Sequence, residues 1–129
     1  MALRAIELKS KIEKYKDKLV EQAEKLCDTY HPTVARSGLQ NLLALANSTL
    51  SVKEIQNFVK YQMGRRTKGE DWAGKGFGEN LVSELDKIKT ECNAGDDKEL
   101  YIALVRLFIG YVVRYAQYLE QTRKGGPHE

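Results

Sequence analysis

The last long segment of the chain constrains the possible fold more than any other part of the sequence. From Lys98 to about Arg123 the residues are apolar around most of a helical circumference. A helix of this kind is normally the centre of a bundle, because it needs neighbours on nearly every side. A single polar stripe remains, which either faces solvent or extends a basic surface elsewhere; it comprises Arg106, Gly110, Arg114, Gln117 and Gln121.

The remainder of the chain supplies neighbours for that helix. Apolar residues recur there at spacings of three and four, the pattern of amphipathic helices. The pattern predicts helices over about Ala2–Asp28, Val34–Ala46, Ser51–Arg66 and Gly78–Cys92. With 42% hydrophobic residues, two prolines and no strand signal, we predict an all-α, single-domain bundle of about five helices. The bundle spans residues 1–123, and residues 124–129 form a disordered tail.

Local signals mark where these helices begin and end. Pro32 disfavours helical dihedrals in the residue before it, so we place a break at Thr29 to Pro32. Ser51 and Glu54 have the spacing of a capping box, in which a hydroxyl and a carboxylate satisfy free backbone amides. Asp96 or Asp97 is expected to cap the last helix.

Residues suited to catalysis or metal binding are few and scattered. His31 and His128 lie in a turn and in the tail, outside any metal-ligand spacing, and Cys27 and Cys92 have no histidine at helical spacing. We therefore predict no enzyme activity, no metal and no cofactor. The two cysteines are expected to be free thiols in the cytoplasm. No apolar run approaches the roughly 20 residues that span a membrane, so we expect no membrane partner.

The segment Thr67–Phe77 is the one long irregular stretch. It contains the spacing G-x-x-x-x-G-K from Gly69 to Lys75, but a glycine follows and no strand precedes it, so we do not assign a nucleotide site. The only tryptophan, Trp72, has two interpretations. In the first, the segment is a flexible clamp in which Trp72 or Phe77 stacks on a base or packs into a neighbouring subunit; in the second, Trp72 closes one end of the core.

Positive charge concentrates in the middle of the chain. Residues 36–68 include six basic residues and a single acidic one, Glu54. On the third predicted helix, Lys53, Asn57, Lys60 and Gly64 share one stripe, which is either a surface for a phosphate backbone or a merely solvated face. We predict nucleic-acid contacts at Lys53, Lys60, Arg65 and Arg66, with Arg36, Lys68 and Arg114 as weaker candidates.

Two short motifs resemble those of a known family. Ser37–Leu45 (SGLQNLLAL) is similar to the S-x-L-R-N-L-L pattern, and Phe58–Arg65 (FVKYQMGR) to the Y-Q-x-G-R run, of the small helical subunit of type III CRISPR effector complexes of the Csm kind. The last helix, with Tyr111, Tyr115 and Tyr118, also resembles that of the family. The resemblance covers roughly residues 37–120, with the motifs in the same order.

The resemblance implies a non-catalytic subunit that stacks in several copies along the effector complex. The family touches the guide–target duplex and the neighbouring backbone subunits. Asn41 falls on the first motif, and Tyr61, Gln62, Gly64 and Arg65 fall on the second. Gln40 stands where the family has arginine, and Arg36, one turn earlier, could substitute for that charge. The segment between the two motifs is also shorter here, as expected of a divergent subtype.

These observations lead to one functional prediction and one alternative. The expected partners are the backbone of guide or target RNA, other CRISPR effector subunits and further copies of this chain, with single-stranded DNA as another candidate. The alternative is a helical protein–protein adaptor or dimerisation module that binds no nucleic acid. Sequence-independent RNA binding that weakens steeply with salt separates the two.

Overall fold

The computed structural model describes residues 2–65 and 71–125, with side chains for residues 3–65 and 71–122. The described residues form five α-helices and no β-strand. The helices are α1 (Ala2–Tyr30), α2 (Arg36–Ser48), α3 (Val52–Arg65), α4 (Phe77–Glu91) and α5 (Lys98–Gly125). The predicted all-α bundle is confirmed.

Helix α5 is the centre of the bundle, as its apolar circumference predicts. It packs against α1, α2 and α4. Leu104, Phe108, Ile109 and Val112 on α5 have no exposed side-chain surface. The polar stripe of α5 is mixed in its exposure: Arg106 and Gly110 are half-buried on the side of α2, Gln117 is half-buried, and Arg114 and Gln121 are exposed.

Contacts between distant residues fix the direction of each helix. Arg4 donates to Asp97 (2.7 Å) at the start of α1 and α5, and Tyr115 donates to Asp28 (2.9 Å) near their ends, so these two helices run parallel. Helix α2 runs antiparallel to α5. Helix α3 packs against α2 and α4 at the edge of the bundle. The side of α3 opposite these two contacts faces away from the other helices.

The helix ends differ from the predictions by one or two residues. Helix α1 continues past Thr29 to Tyr30, because Pro32 restricts only the residue before it, and His31 leaves the helix with φ of 43°. Helix α2 begins later than predicted, because Thr33 pairs with Asp71 in an isolated bridge. Helix α5 extends to Gly125, which places the first two residues of the predicted tail in the helix; residues 126–129 lie outside the described part.

Trp72 belongs to the core. Its side chain is 1% exposed and packs edge-to-face against Phe58 (6.3 Å between ring centroids) and against Phe77 (6.2 Å). The interpretation of Trp72 and Phe77 as exposed stacking residues is therefore wrong. Gly78 makes this closure possible, because a Cβ there would lie 2.6 Å from the Trp72 carbonyl oxygen.

Candidate nucleic-acid interface

The outer face of α3 carries the predicted basic stripe. Ser51 starts the helix by accepting a hydrogen bond from the Glu54 amide (3.1 Å), which is half of the predicted capping box. The apolar face turns inward, with Val52, Ile55 and Val59 buried. The opposite stripe is exposed, and it consists of Lys53, Asn57, Lys60 and Gly64.

Arg65 and Tyr61 extend this face at the end of α3. The guanidinium carbon of Arg65 lies 5.6 Å from the centroid of the Tyr61 ring, in a cation–π contact. Arg65 also donates from Nη1 to Oε1 of Gln62 (3.3 Å). The side chain of Tyr61 is 61% exposed, so the face presents an aromatic ring beside its charges. We call Lys53, Asn57, Lys60, Tyr61, Gly64 and Arg65 the α3 face.

The cations of this face have no carboxylate partners within residues 2–65 and 71–125. The ion pairs described there join Arg4 to Asp97, Lys16 to Glu13 and Lys87 to Glu84. None of them involves Lys53, Lys60 or Arg65. The α3 face therefore presents positive charge that the described part of the chain does not neutralise by direct contact.

Arg36 lies near the same end of the bundle as the last turn of α3. It begins α2, close to the point where Thr33 pairs with Asp71, and its side chain is exposed. A cation in the first turn of a helix opposes the helix dipole. Among the described residues, no ion pair includes Arg36.

Arg114 is not brought to the α3 face. Arg106 and Gly110 contact α2 on one side of α5, and Tyr115 contacts α1 on the other. Arg114 lies on the arc between these contacts, exposed, with its guanidinium carbon 6.0 Å from the Tyr111 ring centroid. Because α3 packs on α2 and α4 instead, Arg114 lies apart from the α3 face. Two further candidates, Arg66 and Lys68, lie outside the described residues.

Two residues have roles that the spacing of charges did not predict. Arg106 donates from Nε to the Ala46 carbonyl and from Nη2 to the Thr49 carbonyl, both at 2.9 Å, and so caps the end of α2. Tyr61 is absent from the predicted contacts, although it lies in the second motif. Its spacing of four residues from Arg65 was the available signal, because residues at that spacing are neighbours on a helix.

The cysteines are buried thiols. Cys27 and Cys92 are free and buried. Burial, and to a smaller extent the charges of Asp28 and Glu24, raises the pKa of Cys27 to about 12, so this thiol is not a nucleophile near neutral pH. Within residues 2–65 and 71–125 no group of three His, Cys, Asp or Glu side chains could hold a metal ion. Over the same ranges, no helix has both the length and the apolar character that crossing a membrane requires.

Comparison of the chain with protein-family models, curated proteins and solved structures gives no match.

Proposed function

We propose that this protein is a non-catalytic small subunit of a type III CRISPR effector complex that binds the RNA backbone through the α3 face. Its partners would be guide or target RNA, the neighbouring effector subunits and further copies of the chain, in the cytoplasm. The resemblance of the two motifs supports membership of the effector complex, and the exposed cations of the α3 face support the RNA contact.

One observation carries the RNA-binding part of the proposal. Lys53, Lys60 and Arg65 are all exposed along a single helix, and none forms an ion pair within the described residues. Cations held in this way are free to replace the counterions of a phosphate backbone. Such contacts position a strand without reading its sequence, as expected of a subunit that must accept any guide.

The test is fluorescence anisotropy with a labelled single-stranded RNA between about 50 and 200 mM salt. If three cations engage phosphates, the log–log slope of affinity against salt should be about −2. Lys60→Ala should weaken binding and make the slope shallower by about 0.7, because one phosphate contact is lost. Two RNAs of unrelated sequence should bind equally well.

Lys25→Ala is the matched control, since Lys25 is an exposed lysine on α1. It should bind RNA as the unchanged protein does. Absence of RNA binding at low salt, or equal losses for Lys25→Ala and Lys60→Ala, would contradict the proposal.

The adaptor remains the second candidate, and exposed apolar side chains favour it. On α1, Leu3 is 70% exposed and Ile6 is 65% exposed. Light scattering of the unchanged protein and of a Leu3→Ser, Ile6→Ser variant tests the dimerisation form of this function. Self-association that the variant loses, together with no RNA binding by the unchanged protein at low salt, would favour the second candidate over the first.

A further inference from the structure

Tyr61 is the feature of the α3 face that phosphate binding does not explain. A phosphate contact needs cations and amides, whereas Tyr61 places an aromatic ring in solvent, 61% exposed. The ring does not pack against the buried cluster of the bundle. Its described ring contact is with the guanidinium of Arg65, 5.6 Å away.

Arg65 holds this ring in place. The arginine joins two groups of unequal burial, the exposed ring of Tyr61 and the amide oxygen of Gln62, which is 9% exposed. Because Gln62 is buried, this hydrogen bond ties the exposed guanidinium, beside the ring, to a residue of the bundle interior. The ring is therefore partly ordered before any ligand arrives, which lowers the entropy cost of stacking against it.

Among the described residues, the surface beside Tyr61 is open. Gly64 lies three residues further along α3, on the same side of the helix, and, apart from its chain neighbours and the α3 backbone, no described atom lies within 4 Å of the position that a Cβ would take there. Asn57 lies one turn before Tyr61 and adds an amide donor and acceptor. Lys60, the residue before Tyr61, adds positive charge at this end of α3.

We propose that Tyr61 stacks on an unpaired RNA base, so that the α3 face accepts single-stranded RNA in preference to a duplex. This inference rests on the proposed function and narrows it, because the α3 face would contact unpaired guide or target RNA and not the paired guide–target duplex that the resemblance implies for the family. In an A-form duplex the faces of the bases are covered by their neighbours, so Tyr61 could stack only on a strand whose bases are splayed out. A cationic surface with an interleaved aromatic residue is the general pattern of single-strand binding.

The surrounding charge favours nucleic acid over a protein partner. Arg65 contacts the ring and Lys60 is the residue before it, whereas the acidic residue of α3, Glu54, lies about two turns earlier. The core of a protein–protein interface is enriched in tyrosine and arginine but depleted in lysine. The cations around Tyr61 instead suit a ligand that has a phosphate beside every base.

The experiment compares one RNA sequence as a single strand and as a duplex, using anisotropy with the full chain. Tyr61→Ala should weaken single-strand binding about ten-fold, because the stacking contact is lost. Tyr61→Phe keeps the ring and should bind nearly as the unchanged protein does. The salt slope of Tyr61→Ala should stay the same, in contrast to Lys60→Ala, since no phosphate contact is removed. Tyr118→Ala, at a 58% exposed tyrosine of α5, is the matched control.

A strand that contains 2-aminopurine gives an independent measurement. Its emission should change on binding to the unchanged protein and to Tyr61→Phe, but much less with Tyr61→Ala. Equal affinity for strand and duplex, or unchanged binding by Tyr61→Ala alongside weakened binding by Lys60→Ala, would overturn the stacking role and leave the proposed function standing. If the unchanged protein binds neither RNA, the proposed function fails and the stacking role fails with it.

Discussion

Helices α3 and α5 both carry basic residues at helical spacing, but they use them in opposite ways. On α3, Lys53 and Lys60 are exposed at the edge of the bundle. On α5, Arg106 is half-buried and bonds to two carbonyl oxygens of the segment that ends α2. The difference arises because α5 has helices on most of its sides, whereas α3 has neighbours only along its inner side.

This comparison shows that a stripe of charges acquires its role from what lies opposite. Arg106 and Arg114 belong to the same predicted polar stripe of α5, eight residues apart. Arg106 lies opposite backbone carbonyl oxygens at the end of α2, whereas Arg114 faces solvent. A basic residue on a central helix can therefore stabilise the fold, while the same residue on an edge helix is available for a ligand.

The largest expected effect separates these two arginines. Arg106→Ala should lower the free energy of unfolding by about 2–3 kcal/mol, because charge-assisted hydrogen bonds to the end of α2 are lost and its carbonyls are left unpaired. Arg114→Ala and Lys60→Ala should each change it by less than about 0.5 kcal/mol. Urea denaturation followed by circular dichroism measures all three. Equal losses for Arg106→Ala and Arg114→Ala would erase the distinction within α5.

The N-caps offer a smaller contrast between the two helices. Ser51 accepts from the amide of Glu54, and Asp97 from the amide of Leu100, each at 3.1 Å. Ser51→Ala and Asp97→Ala should each cost about 1 kcal/mol for the lost cap. Asp97→Ala should cost more, because Asp97 also accepts hydrogen bonds from Arg4 at 2.7 and 2.9 Å. Thermal unfolding at neutral pH compares them.

At low pH, the stability that the hydrogen bonds between Arg4 and Asp97 contribute should disappear. The hydrogen bond from Arg4 first, and the Leu100 amide second, lower the pKa of Asp97. The stability that follows is present above the ordinary carboxyl pKa and is lost as pH falls through the lowered one. Asp97→Asn, which keeps a capping side chain, should thus be less stable than the unchanged protein at neutral pH but not in acid. A difference that persists in acid would point to packing instead.

The smallest effect near neutral pH concerns Tyr115 of α5, which has no counterpart on α3. Its hydrogen bond to Asp28 chiefly, and then burial, raises the pKa of Tyr115 to about 12. The resulting stability is present below the ordinary tyrosine pKa of about 10 and is lost as pH rises through the raised value. Tyr115→Phe should therefore be slightly less stable at pH 8 and no less stable near pH 12, measured by urea denaturation at each pH. A constant difference would contradict this role.

Much of the fold could be predicted because the spacing of apolar residues along the chain indicates which side of each helix is buried. On α3, the stripe predicted to be polar is exposed, and the stripe predicted to be apolar is buried except for Met63, which is half-buried. Helix ends were less predictable, because His31 and the Thr33–Asp71 bridge depend on contacts that local sequence does not contain. The exposure of Lys53 and Lys60 followed from the pattern, but their binding to RNA is still a prediction.

Other features depended on neighbours that the sequence alone could not place. The position of Trp72 was open from sequence, because burial of an aromatic residue in an irregular segment depends on which helices meet there. In the structure, Phe58 of α3 and Phe77 of α4 meet around it. The separation of Arg114 from the α3 face likewise required knowing that α2 and α4, rather than α5, flank α3.

The burial of Trp72 provides an optical probe within the chain. Because it is the sole tryptophan and contacts Phe58 of α3 and Phe77 of α4, its emission reports on the junction of these two helices and on little else. A red shift during denaturation would register the detachment of α3 separately from the loss of helix elsewhere. The protein thus contains an intrinsic fluorophore that reports whether α3 separates from the bundle before the other helices unfold.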